Sequence, residues 1–294
     1  MIFKKKKPLI LFLVPAFAFM IVYLFYPFVM NIINSFSDIP SLGASSKGFL
    51  DPWFTNYARL ATDPYMKTAF INTMLMMLST IVFQVGIAMI LALLMDTITK
   101  KVEFFRTVYF FPIVISATAL GLLFNLVFMM QGPLNQILAS MGLVDMAKPI
   151  IWKEEHWMFT MFTPVVWQYV GYYFVIIATG LNNISADVYE AAQIDGAKGL
   201  QVVFRIKLPL LFNTIATCIT LAITGALKVF DLPWTMFPRG IPMEKSWLAG
   251  TYMYRFSLGG ANNIGYSSAI AVFIVILGVV LSQLMNTILK EKDY

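Results

Sequence analysis

The sequence has little of what most enzymes use to bind metals or to activate nucleophiles. Its 294 residues include one cysteine, Cys218, and one histidine, His156. A single cysteine cannot form an internal disulfide, and one cysteine with one histidine falls short of the ligand set of a zinc site. The same scarcity argues against Cys–His catalysis. We therefore expect no metal site and no enzymatic activity in this chain.

Charge is also scarce. Asp, Glu, Lys and Arg make up 12% of the residues, whereas apolar residues make up 59% and the mean hydropathy is +0.76. Soluble domains contain nearer half apolar residues, even with glycine counted, so the composition indicates a membrane protein. The net charge of +6 comes largely from Lys4 to Lys7. A basic run of this kind is typical of an anchor at anionic lipid headgroups, and we expect no binding to nucleic acid.

Six stretches are apolar enough to cross a bilayer, which requires about 20 mostly apolar residues. We expect an all-α polytopic fold with a single transmembrane domain over residues 1–294. The predicted spans lie at about residues 9–32, 70–95, 107–130, 157–180, 210–231 and 264–288. The first could be mistaken for a signal peptide. Its apolar run exceeds the ~7–15 residues of a signal h-region, so we expect a retained helix.

Lysine and arginine are unevenly distributed between the connections of the predicted spans. If the N-terminus is cytoplasmic, the inside segments hold 12 of these residues in 51, and the outside segments hold 8 in 93. Cytoplasmic loops carry the excess of positive charge. Because six spans put both ends on the same side, we predict that both termini are cytoplasmic. The connection at 181–209 would then also face the cytoplasm.

The connection at 181–209 is polar and contains turn residues, so its backbone cannot lie in lipid without unpaired hydrogen-bonding groups. Ser185 suits the N-cap of a helix over about 186–195, and Gly196 suits the left-handed position that ends it. We expect a second short helix that ends at Leu208-Pro209, because the residue before a proline is disfavoured in the helical region. On physical grounds alone, this helix–turn–helix is either a docking element for another protein or a connector on the membrane surface.

A defined spacing begins at Glu190. It reads Glu-Ala-Ala, three residues, Gly, nine residues, Ile, one residue, Leu-Pro. At every defined position it resembles the cytoplasmic loop of the permease subunits of binding-protein-dependent ABC importers. The similarity extends over essentially the whole chain, including Asn56-Tyr57 and the Gly265-Tyr-Ser-Ser-Ala269 helix start, and is to maltose-type and multiple-sugar permeases. The loop is highly specific for the class and much less so for the substrate.

This resemblance implies a division of labour between subunits in a bacterial inner (plasma) membrane. The chain would pair with a second, homologous permease. Two cytoplasmic ATPase subunits would dock at the coupling loops of the two permeases, and an extracytoplasmic binding protein would deliver a carbohydrate, for which we expect an oligosaccharide. Carried over to this sequence, the ATPase-coupling residues are Glu190, Ala191, Ala192, Asp195, Gly196, Ile206, Leu208 and Pro209.

Energy must come from outside this chain, because the chain lacks the G-x-x-x-x-G-K-[ST] pattern of a P-loop. We expect no cofactor here, with ATP and Mg²⁺ bound by the partner ATPases. Ion-coupled transporters usually carry ionisable residues deep in the membrane, and the predicted span centres are nearly free of Asp and Glu. An ion-coupled secondary transporter is disfavoured but stays open, since backbone carbonyls can also bind Na⁺.

Two regions rich in aromatic and polar residues are candidates for the substrate path. Aromatic faces and hydrogen-bonding side chains recognise sugars, and the maltose-type permeases that the chain resembles use the same regions. The candidate path residues are Trp167, Gly171, Phe174, Lys228, Phe230, Asp231 and Trp234. Helix packing or an interfacial aromatic belt is the alternative for the aromatics. Lys228 would also suit an anionic or phosphorylated sugar, or could pair with Asp231 three residues on.

Overall fold

The computed structural model describes residues 6–97, 102–129, 131–143, 145 and 156–288. This part of the chain is helical, and its one β contact is an isolated antiparallel bridge between Ser37 and Phe49. Within the described residues, five helices are long and apolar enough to cross a membrane, and a sixth crossing results if one bent helix pair counts as a single span. The predicted all-α, polytopic architecture is confirmed at this level.

The helices are numbered in chain order. They are α1 (Lys6–Met20), α2 (Tyr26–Asn34), α3 (Thr55–Thr62), α4 (Pro64–Ser79), α5 (Gly86–Asp96), α6 (Val102–Val114), α7 (Ala117–Val127), α8 (Pro133–Ser140), α9 (Trp157–Asn182), α10 (Ala186–Ile194), α11 (Leu200–Val202), α12 (Leu208–Leu210), α13 (Phe212–Lys228), α14 (Asp231–Met236), α15 (Ala249–Ser257) and α16 (Ile264–Ile288). Three π-helical turns continue the helical path at Ile21–Phe25, Thr80–Val85 and Val203–Lys207.

The chain divides into two compact units. Met1–Pro64 and Met253–Val275 form the first, and Tyr65–Tyr252 and Ile276–Tyr294 form the second. In the first unit, none of the apolar window of the candidate span Ile10–Asn34 is buried. Such a helix, apolar on all sides and unburied within its own chain, is suited to contact with lipid or another membrane subunit.

The start of α16 is tightly packed within the first unit. A Cβ added at Gly265 would collide with the carbonyl oxygen of Ser37 and would lie 3.0 Å from the amide nitrogen of Asn56. The buried Asn56 amide donates to the Ser35 carbonyl at 2.9 Å, and the Tyr266 hydroxyl donates to Asp63 at 2.8 Å. Asn56 and Gly265, both part of the sequence resemblance, are therefore brought together by close backbone packing.

The second unit is built around α9. Of the 18-residue apolar window of this helix 56% is buried, against 33% for the candidate spans Pro64–Asp96 and Phe212–Met236. One buried apolar cluster includes Met76, Leu120 and Met161, and a second includes Phe174 and Cys218. Helix α9 contributes to both clusters and is the central helix of the unit.

The third predicted span, 107–130, is not one straight helix. Helix α6 ends at Val114, α7 begins at Ala117, and the two are bent by 95°. The cause is local. Pro112 lies in the last turn of α6, where it cannot donate a helical hydrogen bond. Ser116 is extended (φ −60°, ψ 140°) and caps α7 by accepting from the Ala119 amide at 3.2 Å.

Two further predicted spans differ from the helices in length. The candidate span Pro64–Asp96 begins six residues before the predicted start at 70, and Phe212–Met236 ends five residues after the predicted end at 231. Both additions are less apolar than the span centres, which is why hydropathy alone did not include them. The residues in the second addition matter because they help to form a cavity.

Candidate functional site

A cavity of about 330 Å³ lies within the second unit. Its walls come from the π turn Thr80–Val85 and from helices α7, α9, α13 and α14, most of them parts of candidate spans. The polar and hydroxyl-bearing lining residues are Thr80, Gln84, Gln168, Tyr169, Tyr172, Tyr173, Thr224, Lys228 and Asp231. A concave site with aromatic rings, amides and hydroxyls is the kind that can bind a polar organic ligand.

Two buried amides hold the cavity walls together. The Gln84 amide donates to the Val165 carbonyl at 2.7 Å, and the Gln168 amide donates to the Ile115 carbonyl at 3.3 Å. These bonds join helical segments far apart in sequence. A buried amide that lost such a bond would cost about 1–3 kcal/mol, so the cavity is largely preformed.

Gly225 leaves the cavity open on the α13 side. A Cβ built on this residue would have a single neighbour within 4 Å, the Tyr173 hydroxyl at 4.0 Å. Glycine in a helix interior is unfavourable by about 0.5–1 kcal/mol relative to alanine. Gly225 therefore leaves space in the cavity and does not stabilise the helix.

Lys228 and Asp231 both line the cavity and both are exposed. Among the described residues, neither side chain has an ion-pair partner. The ion pair that the spacing of Lys228 and Asp231 suggested does not form, because the helix breaks between them. Val229 (ψ 119°) and Phe230 (φ −140°) leave the helical region, so α13 ends at Lys228 and α14 begins at Asp231.

The predicted path residues separate into two groups. Lys228, Phe230 and Asp231 line the cavity, and the Trp234 ring stacks on Phe230 with centroids 6.0 Å apart. The structure places the other three, Trp167, Gly171 and Phe174, outside this cavity. These three residues therefore stay predictions for the substrate path, while other residues of α9 line this cavity.

The three α9 residues have other environments. Trp167 is 44% exposed in a separate apolar groove of about 1090 Å³, where its ring lies 5.6 Å from that of Phe124. Phe174 is fully buried in the core. A Cβ on Gly171 would collide with the Tyr109 carbonyl, so this glycine allows α9 to approach α6 closely.

Helix α9 instead presents Gln168, Tyr169, Tyr172 and Tyr173 to the cavity. These positions follow a spacing of one, three and one residues, which corresponds to a single stripe of an α-helix. This stripe was visible in the sequence as a run of polar and hydroxyl-bearing residues. Its neighbours Trp167 and Phe174 lie outside it.

The predicted helix after α9 is present, and its boundaries follow from its caps. Helix α10 runs over Ala186–Ile194, and the Ser185 hydroxyl accepts from the Asp187 amide at 3.2 Å, which confirms the predicted N-cap. Gly196 has φ +77°, the left-handed conformation that favours glycine after a helix end. The local geometry of the predicted helix and turn is thus confirmed.

The expectation that Leu208-Pro209 ends the second helix is wrong. Leu208 is helical (φ −62°, ψ −44°), and the path continues through α12 towards α13. The π turn before it accommodates the proline. The Leu208 amide donates to the Val203 carbonyl five residues back, and Pro209, which has no N–H, follows directly after this turn.

Comparison with known proteins decides the family. Residues 102–292 match the family of binding-protein-dependent transport system inner membrane components. The probable ABC transporter permease protein YurN of Bacillus subtilis is 32% identical over 283 residues, covering 95% of both chains. The chain belongs to this family.

Another relative and a solved structure agree with that assignment. The arabinooligosaccharides transport system permease protein AraP of Halalkalibacterium halodurans is 31% identical over 269 residues, 89% of the permease and 81% of the relative. A crystal structure of a bacterial ABC transporter involved in the import of the acidic polysaccharide alginate superposes with a TM-score of 0.84 at 21% identity, over 99% and 98% of the two chains. The predicted resemblance is confirmed: the chain is a multi-pass ABC permease of the bacterial inner membrane.

The eight loop residues of the permease motif differ in exposure. Glu190, Ala191, Asp195, Gly196 and Pro209 are exposed, Ile206 and Leu208 are half-buried, and Ala192 is buried. Three apolar side chains outside the motif are also exposed, with Ile194 at 86%, Leu200 at 73% and Phe204 at 62%. The segment therefore presents a mixed apolar and charged surface that the described remainder of the permease does not cover.

Lys207 lies at the base of this segment and has a different environment. It is buried, with 8% of its surface exposed, and its ammonium donates to the Asp96 carboxylate at the end of α5. The same ammonium lies 5.4 Å from the ring centroid of Tyr189 on α10. Burial, with a smaller contribution from the nearby Asp96 carboxylate, raises the pKa of Tyr189.

Proposed function

We propose that this permease forms the path by which an oligosaccharide crosses the bacterial inner membrane, in an importer driven by ATP hydrolysis on partner subunits. The observation that carries the proposal is the cavity of the second unit. It combines tyrosine rings, amides and hydroxyls with a lysine and an aspartate that form no ion pair within the described part of the chain, among helices that are otherwise apolar. Apolar packing does not require this combination of groups.

The cavity composition suits a sugar. Tyrosine rings offer apolar faces to the C–H faces of a sugar, and hydroxyl, amide and charged groups can bond to its OH groups. At about 330 Å³ the cavity lies at the lower end of the ~300–1,000 Å³ range of small-molecule sites. It would therefore hold part of an oligosaccharide at one time. A relative named for arabinooligosaccharide transport supports the same substrate class.

The loop segment supports a docking role. Large exposed apolar side chains are typical of interaction sites, and Ile194, Leu200 and Phe204 are all exposed close to the Gly196 turn in the sequence. We propose that both termini and this segment face the cytoplasm, as the distribution of Lys and Arg indicates. Glu190 and the exposed apolar residues would then contact an ATPase subunit, which would hold the ATP and Mg²⁺ that this chain does not bind itself.

A complete importer would contain this permease, a second homologous permease, two ATPases and an extracytoplasmic binding protein. Closure of the ATPase dimer would displace the docked segments and rock the spans, which would open the cavity alternately to the two sides. The permease would perform no covalent chemistry.

A charged sugar is the second candidate substrate. Lys228 faces the cavity and has no ion-pair partner among the residues that the structure describes, and this would favour a carboxylate, sulfonate or phosphate group. Asp231 in the same cavity opposes such a ligand. The two candidates differ in whether uptake depends on the charge of the substrate.

The test is uptake by the complete complex in proteoliposomes, with the binding protein outside and ATP inside. We expect labelled arabino-oligosaccharides to accumulate only with ATP, and ionophores to leave uptake unchanged. Accumulation that ionophores abolish, and that does not require ATP, would show an ion-coupled transporter instead. Uptake of uronic-acid or phosphorylated sugars in preference to neutral ones would select the second candidate.

A further inference from the structure

Helix α10 has little packing of its own to hold it to the permease. Of its nine residues only Ala192 is buried. An element that transmits displacement must be attached firmly at some point, because a loosely attached helix would move without moving its neighbours. The firm attachment of this segment lies in the chain that follows α10.

Lys207 supplies an attachment point after α10. Its neighbour Arg205 is exposed, as is Lys198, whereas Lys207 is buried and bonded to Asp96. Lys207 and Asp96 are 111 positions apart in sequence, so their bond connects the loop to a distant helix. Through its position over the Tyr189 ring, the same ammonium also contacts α10, since a cation is attracted to an aromatic face.

Both helical paths that meet at this ion pair lead to the cavity. On one side, Asp96 ends α5, which continues back through the π turn to Gln84 and Thr80 in the cavity wall. On the other, Lys207 leads through α12 and α13 to Thr224 and Lys228. Gln84 and Asp96 are separated by roughly 18 Å along the helix axis, at 1.5 Å per residue. A shift at the ion pair would therefore reach the cavity along two nearly rigid helices.

An ion pair differs from an apolar contact at this position. Lys207 is buried, whereas Asp96 is more exposed at the end of α5. Such a pair gains little net stability over well-packed apolar residues, because desolvating the lysine is costly. It is directional, however, and a displaced partner leaves a buried charge without compensation. Such a contact holds two elements in one register and resists separation, whereas apolar surfaces can slide.

We infer that Asp96 and Lys207 are positioning residues that join the ATPase-docking segment to the cavity-lining helices. Tyr189 links α10 to the same ion pair. This inference rests on the proposed ATP-driven function. It goes beyond that function because it names the pair of side chains that passes the displacement of the docking segment to the cavity-lining helices.

The experiment compares variants of the complete importer in proteoliposomes. Lys207→Met and Asp96→Asn each remove one charge, and the double variant Asp96→Lys with Lys207→Asp exchanges the charges. Lys67→Met is the matched control, because this lysine of α4 is exposed and lies outside the docking segment. Three quantities are measured for each complex: the amount of ATPase that co-purifies, the ATP hydrolysis stimulated by the loaded binding protein, and the sugar imported per ATP hydrolysed.

We expect Lys207→Met and Asp96→Asn to retain the bound ATPase and to import at least tenfold less sugar per ATP, whereas Lys67→Met imports the wild-type amount. The exchanged pair should recover at least half of the wild-type ratio. The conservative variants Lys207→Arg and Asp96→Glu keep the charges and should remain coupled, which guards against a simple loss of folding.

Two results would overturn the proposed positioning role of the Asp96–Lys207 ion pair. One is a wild-type ratio of sugar to ATP in both single variants. The other is a loss of ATPase binding in the single variants that neither the exchanged pair nor the conservative variants restore, which would indicate a purely structural role. Wild-type uptake that needs no ATP would instead refute the proposed function, and is recognised before any variant is tested.

Discussion

Lys228 and Asp231 line the same cavity three residues apart and do not form an ion pair, because the helix is interrupted between them. Opposite charges at this spacing attract each other on an uninterrupted helix. The interruption leaves a donor and an acceptor available to a ligand at separate points of the cavity wall. Replacing either residue therefore takes no ion-pair partner away from the other.

Replacing Lys228 by methionine should lower the initial rate of uptake at least tenfold, since a charge-assisted hydrogen bond to the substrate, ~1.5–3 kcal/mol, would be lost. The affinity of the separate binding protein should not change. Lys67→Met, at an exposed lysine of α4, is the control. Unchanged uptake of every candidate sugar by the Lys228 variant would remove this residue from the path.

The Asp231→Asn variant distinguishes the two substrate classes. With a neutral sugar, loss of the strong carboxylate acceptor should reduce uptake. With an anionic sugar, removal of a like charge should increase it. Comparing neutral with uronic-acid oligosaccharides in the same proteoliposomes measures the sign of the effect.

Gly171→Ala should destabilise the permease, because the new Cβ would collide with the Tyr109 backbone. Overpacking of this kind costs typically about 1–3 kcal/mol, which should lower the thermal transition of the purified complex by several degrees. Gly225→Ala is the matched control, since its Cβ enters open space and alanine stabilises a helix by about 0.5–1 kcal/mol. Equal transition temperatures for both variants would contradict the close approach of α6 and α9.

Gly225→Phe should block transport without preventing assembly. The large ring would occupy the cavity next to Tyr173, where the structure leaves room for it. The measurement is uptake together with recovery of the assembled complex, with Gly225→Ala as the small-side-chain control. Normal uptake by the phenylalanine variant would show that the cavity is not on the path.

Gly196→Asp and Glu190→Lys should uncouple transport while leaving membrane insertion intact. Nothing lies within 4 Å of a Cβ at Gly196, so the intramolecular cost is only that of a left-handed conformation, about 1–2 kcal/mol. The larger effect is expected on the exposed surface offered to the ATPase. Membrane fractionation and uptake are measured on the same cells, and normal sugar uptake by both variants would contradict the docking role.

Local signals in the sequence predicted local structure well. Ser185 and Gly196 delimit α10 because a cap and a left-handed glycine act within a few residues, independently of the rest of the fold. The apolar runs located the helices for the same reason. Pro209 misled, because an additional residue in the preceding turn removed the conflict that a proline normally creates.

The orientation of side chains depends on packing, and this the sequence did not reveal. Trp167 and Gln168 are adjacent, yet one lies in an apolar groove and the other in the cavity wall. Only the position of α9 between its neighbours decides which stripe faces inwards. No pattern in the sequence indicated a contact for Asp96, because its partner Lys207 is distant in the chain and the contact exists only in the folded permease.

The π turn at Thr80–Val85 has a consequence for insertions and deletions. A π turn contains one residue more than the α-helical turn it replaces, so removing a residue there would leave α5 in the same rotational setting and Asp96 still directed at Lys207. The same deletion within Gly86–Asp96 would rotate the end of the helix by about 100°. Length variation among permeases of this family is therefore expected at the π turn and not in the helix that follows it.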